Sequence, residues 1–348
     1  MDTASTIINN EFGIYTGAEI NFLGEVLKLN TTVRADKNEN FDLNFSPAAS
    51  IVYKPNKNDI LRLSFGSAIR NPTLSDQYLY YNVGRAILIG NLNGHGEKYG
   101  ENLVTIESLY EYFTPAVPAY DSLNFFSVDP IRPEKAKSVE LGYRSTFSNK
   151  VYLDANVYYS EYTDFIGYKI GAKFLADTSN GGFSITLPSI QAYRMAANAQ
   201  NKVTTKGASI GINYYPNSDI SLNGNYSWNS LNEKGTNDPI IPAYNTPEHK
   251  FNLGCLIKNI HFDKQKSFLR DYSFSINYKW VEGFLYEGSP QFTGYIPQYD
   301  IVDLQISKEI IDLGATIKLG STNLFDNQHF EVYGGPYIGL SLIHISEP

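Results

Sequence analysis

Apolar and polar residues alternate with period two along most of the chain, and helical periodicity is almost absent. Such alternation predicts strands with one apolar and one polar face. Over Glu11–Phe22, one face carries Phe12, Ile14, Thr16, Ala18, Ile20 and Phe22, and the other carries Glu11, Gly13, Tyr15, Gly17, Glu19 and Asn21. Leu27, Leu29, Thr31 and Val33 alternate in the same way with Lys28, Asn30, Thr32 and Arg34. Leu61, Leu63 and Phe65 alternate with Arg62, Ser64 and Gly66, and Val139, Leu141 and Tyr143 with Glu140, Gly142 and Arg144. Val151, Leu153, Ala155 and Val157 oppose Tyr152, Asp154, Asn156 and Tyr158, while Ile220, Leu222, Tyr226 and Trp228 share a face, as do Phe274, Ile276, Tyr278 and Trp280. Two last runs, Val302–Ser307 and Leu313–Gly320, bring the total to about twelve strands, most near the ~9–11 residues that a tilted strand needs to cross a bilayer.

The connections alternate in length. Short ones fall near Gly24, Pro55–Asp59, Ser148–Asn149, Pro216–Ser218 and Ile310–Asp312, with Asn259–Leu269 a longish member of that set. Long ones fall near Asp36–Asn44, Asn71–Lys135, Gly167–Ile190, Asn232–Thr246, Leu285–Pro297 and beyond Phe325. A membrane barrel has this asymmetry, with short turns on one side and long loops on the other; a soluble sandwich has no reason for it. The polar faces also carry charge, at Arg62, Arg70, Glu140, Arg144, Asp154 and Lys318. A soluble barrel of this size needs an apolar filling, whereas a large membrane barrel is inverted, with lipid outside and a wet or plugged lumen. The expected fold is therefore all-β, a partial antiparallel transmembrane β-barrel. Phe12, Phe22, Phe65, Phe147, Trp228 and Trp280 sit near strand ends, where aromatic girdles form.

Composition agrees. Of 348 residues 42% are hydrophobic and 18% charged, and the 27 tyrosines beside 20 phenylalanines suit a boundary between oil and water. The net charge of −8 comes with no basic stripe, so nucleic acid is not an expected partner. Cys255 stands alone, which rules out an intrachain disulfide framework. No apolar run is long enough for a transmembrane helix, and the first residues have no signal-peptide pattern. No repeat marks a propeller or solenoid.

LRLSFGSAIRNPT at Leu61–Thr73 resembles a recurring segment of TonB-dependent outer-membrane receptors, in which a strand ends in an Arg-x-Pro-Thr-like turn before a long outer loop. RPEKAKSVELGYR at Arg132–Arg144 is similar to the start of the next strand in that family, and LDANVYYSEYTDFIG at Leu153–Gly167 to the strand after it. TPEHKFNLG at Thr246–Gly254 and NLFDNQHFEVYGGPYIG at Asn323–Gly339 resemble its closing section. The resemblance implies a barrel of about 22 strands around a plug, of which this chain supplies about twelve. It also implies a place in the outer membrane of a Gram-negative bacterium, surrounded by lipid, and import of a scarce ligand driven by a TonB-type energising complex. The plug and the coupling motif are not in this sequence. Residues 1–339 form the expected barrel portion. The tail 340–348, ending LSLIHISEP, resembles a translated sequencing adaptor and is expected to be non-native, with Met1 an internal methionine.

Candidate sites follow. The segment Asn71–Lys135 is too long for a structural connection and reads as a ligand-gripping loop, with Tyr78, Tyr80, Tyr81, Phe125 and Phe126 as contact surfaces, or else as a lid whose aromatics form a small core of their own. Arg62 and Arg70 are expected to hold the plug or to pair with Glu140, while Arg144, Asp154 and Lys318 line the lumen. No histidine has metal-ligand spacing, no catalytic motif is present and no cofactor is expected, so the chain is not read as an enzyme. The alternatives are a passive channel and a surface-binding or adhesin barrel.

Overall fold

The computed structural model describes residues 6–84, 86–114, 120–177, 184–233, 244–262, 269–287 and 293–347. Alternation puts each apolar set on one side of the backbone, so neighbouring strands in register build one continuous apolar face. Thirteen strands do this: β1 Glu11–Phe22, β2 Leu27–Asn38, β3 Asn44–Tyr53, β4 Asp59–Arg70, β5 Glu134–Phe147, β6 Val151–Thr163, β7 Val203–Tyr214, β8 Ile220–Glu233, β9 His249–Ile260, β10 Tyr272–Val281, β11 Tyr299–Ile310, β12 Ala315–Thr322 and β13 Ser341–Glu347. All pair antiparallel with their neighbours in chain order, and among the described residues the sheet is open, with β1 and β13 at its edges.

The twelve expected strands are β1 to β12, and the expected short connections lie at 23–26, 54–58, 148–150, 215–219 and 311–314, alternating with long ones from β4 onward. The Ser148–Asn149 turn shows why such a turn can be so short. Both residues take positive φ, 51° and 54°, and Lys150 N–H donates to the Phe147 carbonyl at 2.9 Å. Two consecutive left-handed residues twist the chain in the sense the strands need, and asparagine tolerates this better than most. The connection 39–43 is shorter than expected because β2 and β3 stay paired out to Asp36 and Asn44.

The burial pattern is inverted relative to a soluble sheet. Leu63, Leu141 and Val157, in the middle of their strands, are 48%, 49% and 50% exposed. The polar face instead joins strands through side chains: Arg144 to Asp154 at 2.7 Å, Asn252 to Asn225 at 2.9 Å and Ser209 to Asn156 at 2.8 Å. The best-buried apolar residues, Leu103, Val104, Ala172 and Met195, all lie outside the thirteen strands.

They belong to a folded cap at the long-loop end, built from two of the expected long connections, the second of which, Gly167–Ile190, lies within a strand hairpin. Ile166–Asp177 and Ser184–Asn198 form a long hairpin. The described residues of 71–133 fold against it, contributing helix α1 Leu74–Tyr78, helix α2 Ile106–Phe113 and the short strands Tyr80–Asn82, Ala86–Ile89 and Leu103–Val104. Ala86–Ile89 runs parallel to Ala192–Met195, and Leu103–Val104 pairs with Lys173 and Ala172 on the other side. The hairpin alternates Ile166, Ile170, Ala172 and Phe174 with Gly167, Lys169, Gly171 and Lys173. This is the period of a wall strand, but Ile166, Ala172 and Phe174 pack on loop residues while Ile170 stays exposed.

Candidate functional site in the cap and on the polar face

The cap begins where β4 is forced to stop. Pro72 has no N–H to continue the ladder, and Thr73 then caps α1. The Asp76 N–H donates to Thr73 Oγ1 at 3.1 Å, and the Thr73 N–H donates to Asp76 Oδ2 at 2.9 Å, a reciprocal capping box. The Arg70–Thr73 segment picked out in the sequence is thus a strand stop followed by a helix start. Gln77 fastens the helix by donating from Nε2 to the Pro72 carbonyl at 2.8 Å and accepting from Asn40 at 2.7 Å. Gly90 lies so close under α1 that a Cβ there would fall 2.4 Å from the Gln77 carbonyl carbon, which makes this close approach a glycine-only contact.

Two asparagines sew the cap together. Asn91 is fully buried and donates to the Asp129 carbonyl at 2.7 Å and to the Ala196 carbonyl at 2.8 Å, linking both long connections. Asn198 accepts from the Arg132 N–H at 2.8 Å and donates to the carbonyls of Arg132, at 2.9 Å, and Asp164, at 2.7 Å. It therefore ties together the chain just before β5 and just after β6. Asn91→Ala leaves the carbonyl of buried Ala196 short of a donor, at about 1–3 kcal/mol, and also loses the bond to the Asp129 carbonyl. We expect faster amide exchange across 86–104 and 190–198, with wall strands unchanged, when hydrogen exchange is followed by mass spectrometry.

Charge is concentrated beside these ties. Burial pushes the Glu101 carboxyl up, but the Lys173 hydrogen bond, the Gly96 N–H and the charges of Lys173 and His95 outweigh it and hold the group below the usual carboxylate range. Lys173 Nζ sits 2.6 Å from Oε1, and His95 Nδ1 3.3 Å from Oε2. A depressed folded-state pKa stabilises above the unfolded value and is lost as pH falls through the depressed one. Protection of 95–104, corrected for the chemical exchange rate, should therefore drop on acidification below the ordinary carboxylate range. Glu101→Gln should start lower and stay flat over that interval. Near α1, the Arg194 guanidinium lies 3.5 Å from the centre of the Tyr168 ring, and burial lowers its pKa although Tyr168 and Asp76 oppose the shift.

The residues named from sequence divide as follows. Tyr80 and Tyr81 are 70% and 60% exposed on the edge of the cap sheet, with Tyr78 less so at the end of α1. Phe125 and Phe126 pack against the two apolar clusters of the cap, and Lys169 sits 4.7 Å over the Phe126 ring. Arg62, Arg70, Glu140, Arg144, Asp154 and Lys318 all occur on the polar-face register. Arg62 pairs with Glu140, Arg144 with Asp154, and Arg70 with Glu134 at 2.7 Å, whose carboxylate also accepts from the Ile166 N–H at 3.0 Å. Glycine at 142 leaves a cleft of about 170 Å³ between Arg62 and Arg144, floored by Val52, Ile60 and Asn156. Glu134, Asp76, Glu101, Lys173 and Arg194 were not foreseen. Asp76 belongs to a local Thr-x-x-Asp capping pattern that went unread, whereas Glu134 with Arg70, Glu101 with Lys173 and Arg194 with Tyr168 meet partners far off in sequence.

A family model described as TonB dependent receptor-like, beta-barrel, matches residues 2–324. No curated sequence matches the chain. Solved structures similar to it include the iron transporter FrpB of Neisseria meningitidis (F3-3 variant), with TM-score 0.60, 12% identity, and coverage of 96% of this chain and 44% of that one. The siderophore receptor PirA of Acinetobacter baumannii aligns with TM-score 0.61 and 12% identity over 92% of this chain and 42% of its own. The copper transporter OprC aligns with TM-score 0.59 and 14% identity over 93% and 43%. The chain thus spans under half the length of these structures, and at such identities the likeness is one of fold. These relatives are transporters and receptors rather than enzymes.

Proposed function

This chain belongs to the TonB-dependent receptor β-barrel family, and from that premise we propose that it forms wall and mouth of an outer-membrane importer. In this reading the apolar face meets lipid, the polar face lines the lumen, and the cap grips ligand at the cell surface. The observation that carries it is the inverted burial: exposed leucines and valines on one face, paired charges on the other, and the packed core displaced to the long-loop end. Ion pairs across the polar face suit a wall against which a plug rests, since an Arg–carboxylate pair keeps free acceptors and donors on its lumen side. The cleft between Arg62 and Arg144 is a socket for such a plug. Tyr80 and Tyr81 present aromatic faces outward and are the residues of the cap best placed to stack on a ligand.

Cells carrying the native gene, or its deletion, would be offered labelled iron chelates, cobalamin and oligosaccharides. We expect gene-dependent accumulation of one of them that stops when a protonophore collapses the proton gradient, while surface capture persists. Accumulation that survives the protonophore points to a passive channel, and capture with no accumulation under any condition points to an adhesin. With the captured ligand in hand, Tyr80→Ala combined with Tyr81→Ala should weaken capture by about tenfold to a hundredfold in a cell-surface titration.

A further inference from the structure

We propose that the open edge of the cap sheet, Tyr80–Asn82, takes up an extended peptide as a sixth strand, held through its main chain. This rests on the reading of the cap as the part that grips ligand, and names a peptide as that ligand. The cap sheet has five strands, in the order Tyr80–Asn82, Ala86–Ile89, Ser184–Asn198, Ile166–Asp177 and Leu103–Val104. Its two edges differ. Outside Leu103–Val104 the chain returns and closes the edge. There the Phe126 N–H donates to the Leu103 carbonyl at 3.0 Å, the Thr105 N–H donates to the Asn124 carbonyl at 3.1 Å, and Val104 bridges Phe125. Outside Tyr80–Asn82, among the described residues, no strand follows.

The ladder fixes which groups this edge presents. Tyr80, Tyr81 and Asn82 stand across from Ile89, Leu88 and Ile87. The Gly90 N–H donates to the Leu79 carbonyl at 2.7 Å and the Val83 N–H to the Ala86 carbonyl at 3.0 Å, so positions 79 and 83 turn their polar groups into the sheet. In an antiparallel pair such positions recur at every second residue, which makes Tyr81 the third of the set. Tyr80 and Asn82 then point both N–H and C=O away from the sheet, two donor–acceptor pairs about 7 Å apart. Among the described residues, neither N–H donates to a loop or side chain. Sheet edges are ordinarily guarded by a lysine, a proline, a bulge or a covering loop. Tyr80–Asn82 holds neither lysine nor proline, and its register runs without a shift. All three residues are exposed, Tyr80 to 70% and Tyr81 to 60%. Asn82 uses its side chain to fix the following turn, its Oδ1 accepting from the Gly84 N–H at 2.7 Å. Because successive side chains alternate, Tyr80 and Tyr81 flank an added strand, one on each face.

A repeat of donor and acceptor at this spacing is matched by another extended chain, whatever its side chains, and not by a glycan or a metal chelate. The test uses the receptor expressed from its native gene on intact cells, with a fluorescent heptapeptide of alternating threonine and valine as probe. The peptide is made in three forms: plain, N-methylated at every second amide, and N-methylated at every amide. Methylation at every second amide strips one edge of the peptide and leaves the other whole, so the first two forms should be captured alike. Full methylation strips both edges and should weaken capture about tenfold or more. Asn82→Pro removes one outward N–H at a place where an edge strand accepts proline. It should weaken capture of the plain peptide by about threefold to tenfold. Equal capture of the plain and fully methylated forms, no capture of the plain form at millimolar concentration, or unchanged capture by a folded Asn82→Pro receptor would each overturn the site. The comparison of peptides uses wild type alone, so it stands even if the variant misfolds. Protonophore-sensitive accumulation tests the underlying reading separately. A receptor that accumulates another ligand and ignores the peptide loses the sixth strand and remains an importer. One that captures the peptide and accumulates nothing keeps the sixth strand and is no importer.

Discussion

Leu103→Asp is expected to unfold the cap while leaving the wall strands paired. Leu103 and Val104 form a strand of only two residues, both with no exposed surface. Because successive side chains point to opposite faces, each stands in a different cluster. Leu103 packs with Ile87, Ile89, Val128 and Met195, and Val104 with Leu109, Tyr112, Leu123 and Phe174. An aspartate at 103 loses the apolar burial and leaves an unpaired carboxylate among aliphatic groups, a combined cost of more than about 4 kcal/mol. That is comparable to the whole stability of a small unit of this kind. Protease added to intact cells should then cut within 71–133 and 164–202, where wild type resists, with heat-modifiable mobility retained. Loss of heat-modifiable mobility as well would mean that the cap and the wall fold as one cooperative unit.

Leu141→Arg is expected to cost about 2–4 kcal/mol of membrane stability, the value for a cation placed near the midplane on the lipid side of a barrel. The same arginine at Ser64 should cost less than about 1 kcal/mol, because that position lies on the polar face, which the proposed function turns toward the lumen. Leu141 stands between Leu63 and Val157 on the apolar face, whereas Ser64 stands across from Glu140 on the polar face and would meet a carboxylate there. Urea titration of both variants in lipid vesicles, followed by tryptophan emission, measures the difference. Equal costs at the two positions would reverse the assignment of faces or remove the membrane altogether.

The wall was legible because every strand of it keeps one apolar and one polar face. Leu61, Leu63 and Phe65 reveal their face without reference to any partner, and the Ser148–Asn149 turn announces itself by residue type. The polar-face charges were legible for the same reason, since Arg62, Arg144 and Asp154 fall on the remaining side of each strand. The cap was not, because its order comes from contacts between residues far apart in the chain. The hairpin Ile166–Asn198 carries an alternation as clear as that of β6, but pattern alone does not say whether an apolar set meets lipid or Leu103. The place of Phe125 and Phe126 against the cap clusters and the exposure of Tyr80 and Tyr81 were invisible for a related reason. All four are aromatic residues in one loop, and only the sheet order separates them.

The ties made by Asn198 and Asn91 also act as a splint. A strand that slips against its neighbour and still keeps its apolar side toward lipid must move by two residues, about 7 Å. For β5 such a slide would drag Arg132 away from Asn198, which holds it at 2.8 Å, and would draw Ile131 from its 2.8 Å bond to the Asn91 carbonyl. The shear of β5 against β6, which the uniform ladder bonds alone would tolerate, is thereby pinned at one end by the Asn198 side chain and by a main-chain bond to Asn91 in the cap. Barrel diameter depends on that shear, so in the proposed barrel the bore is gauged in part by two asparagines of the cap.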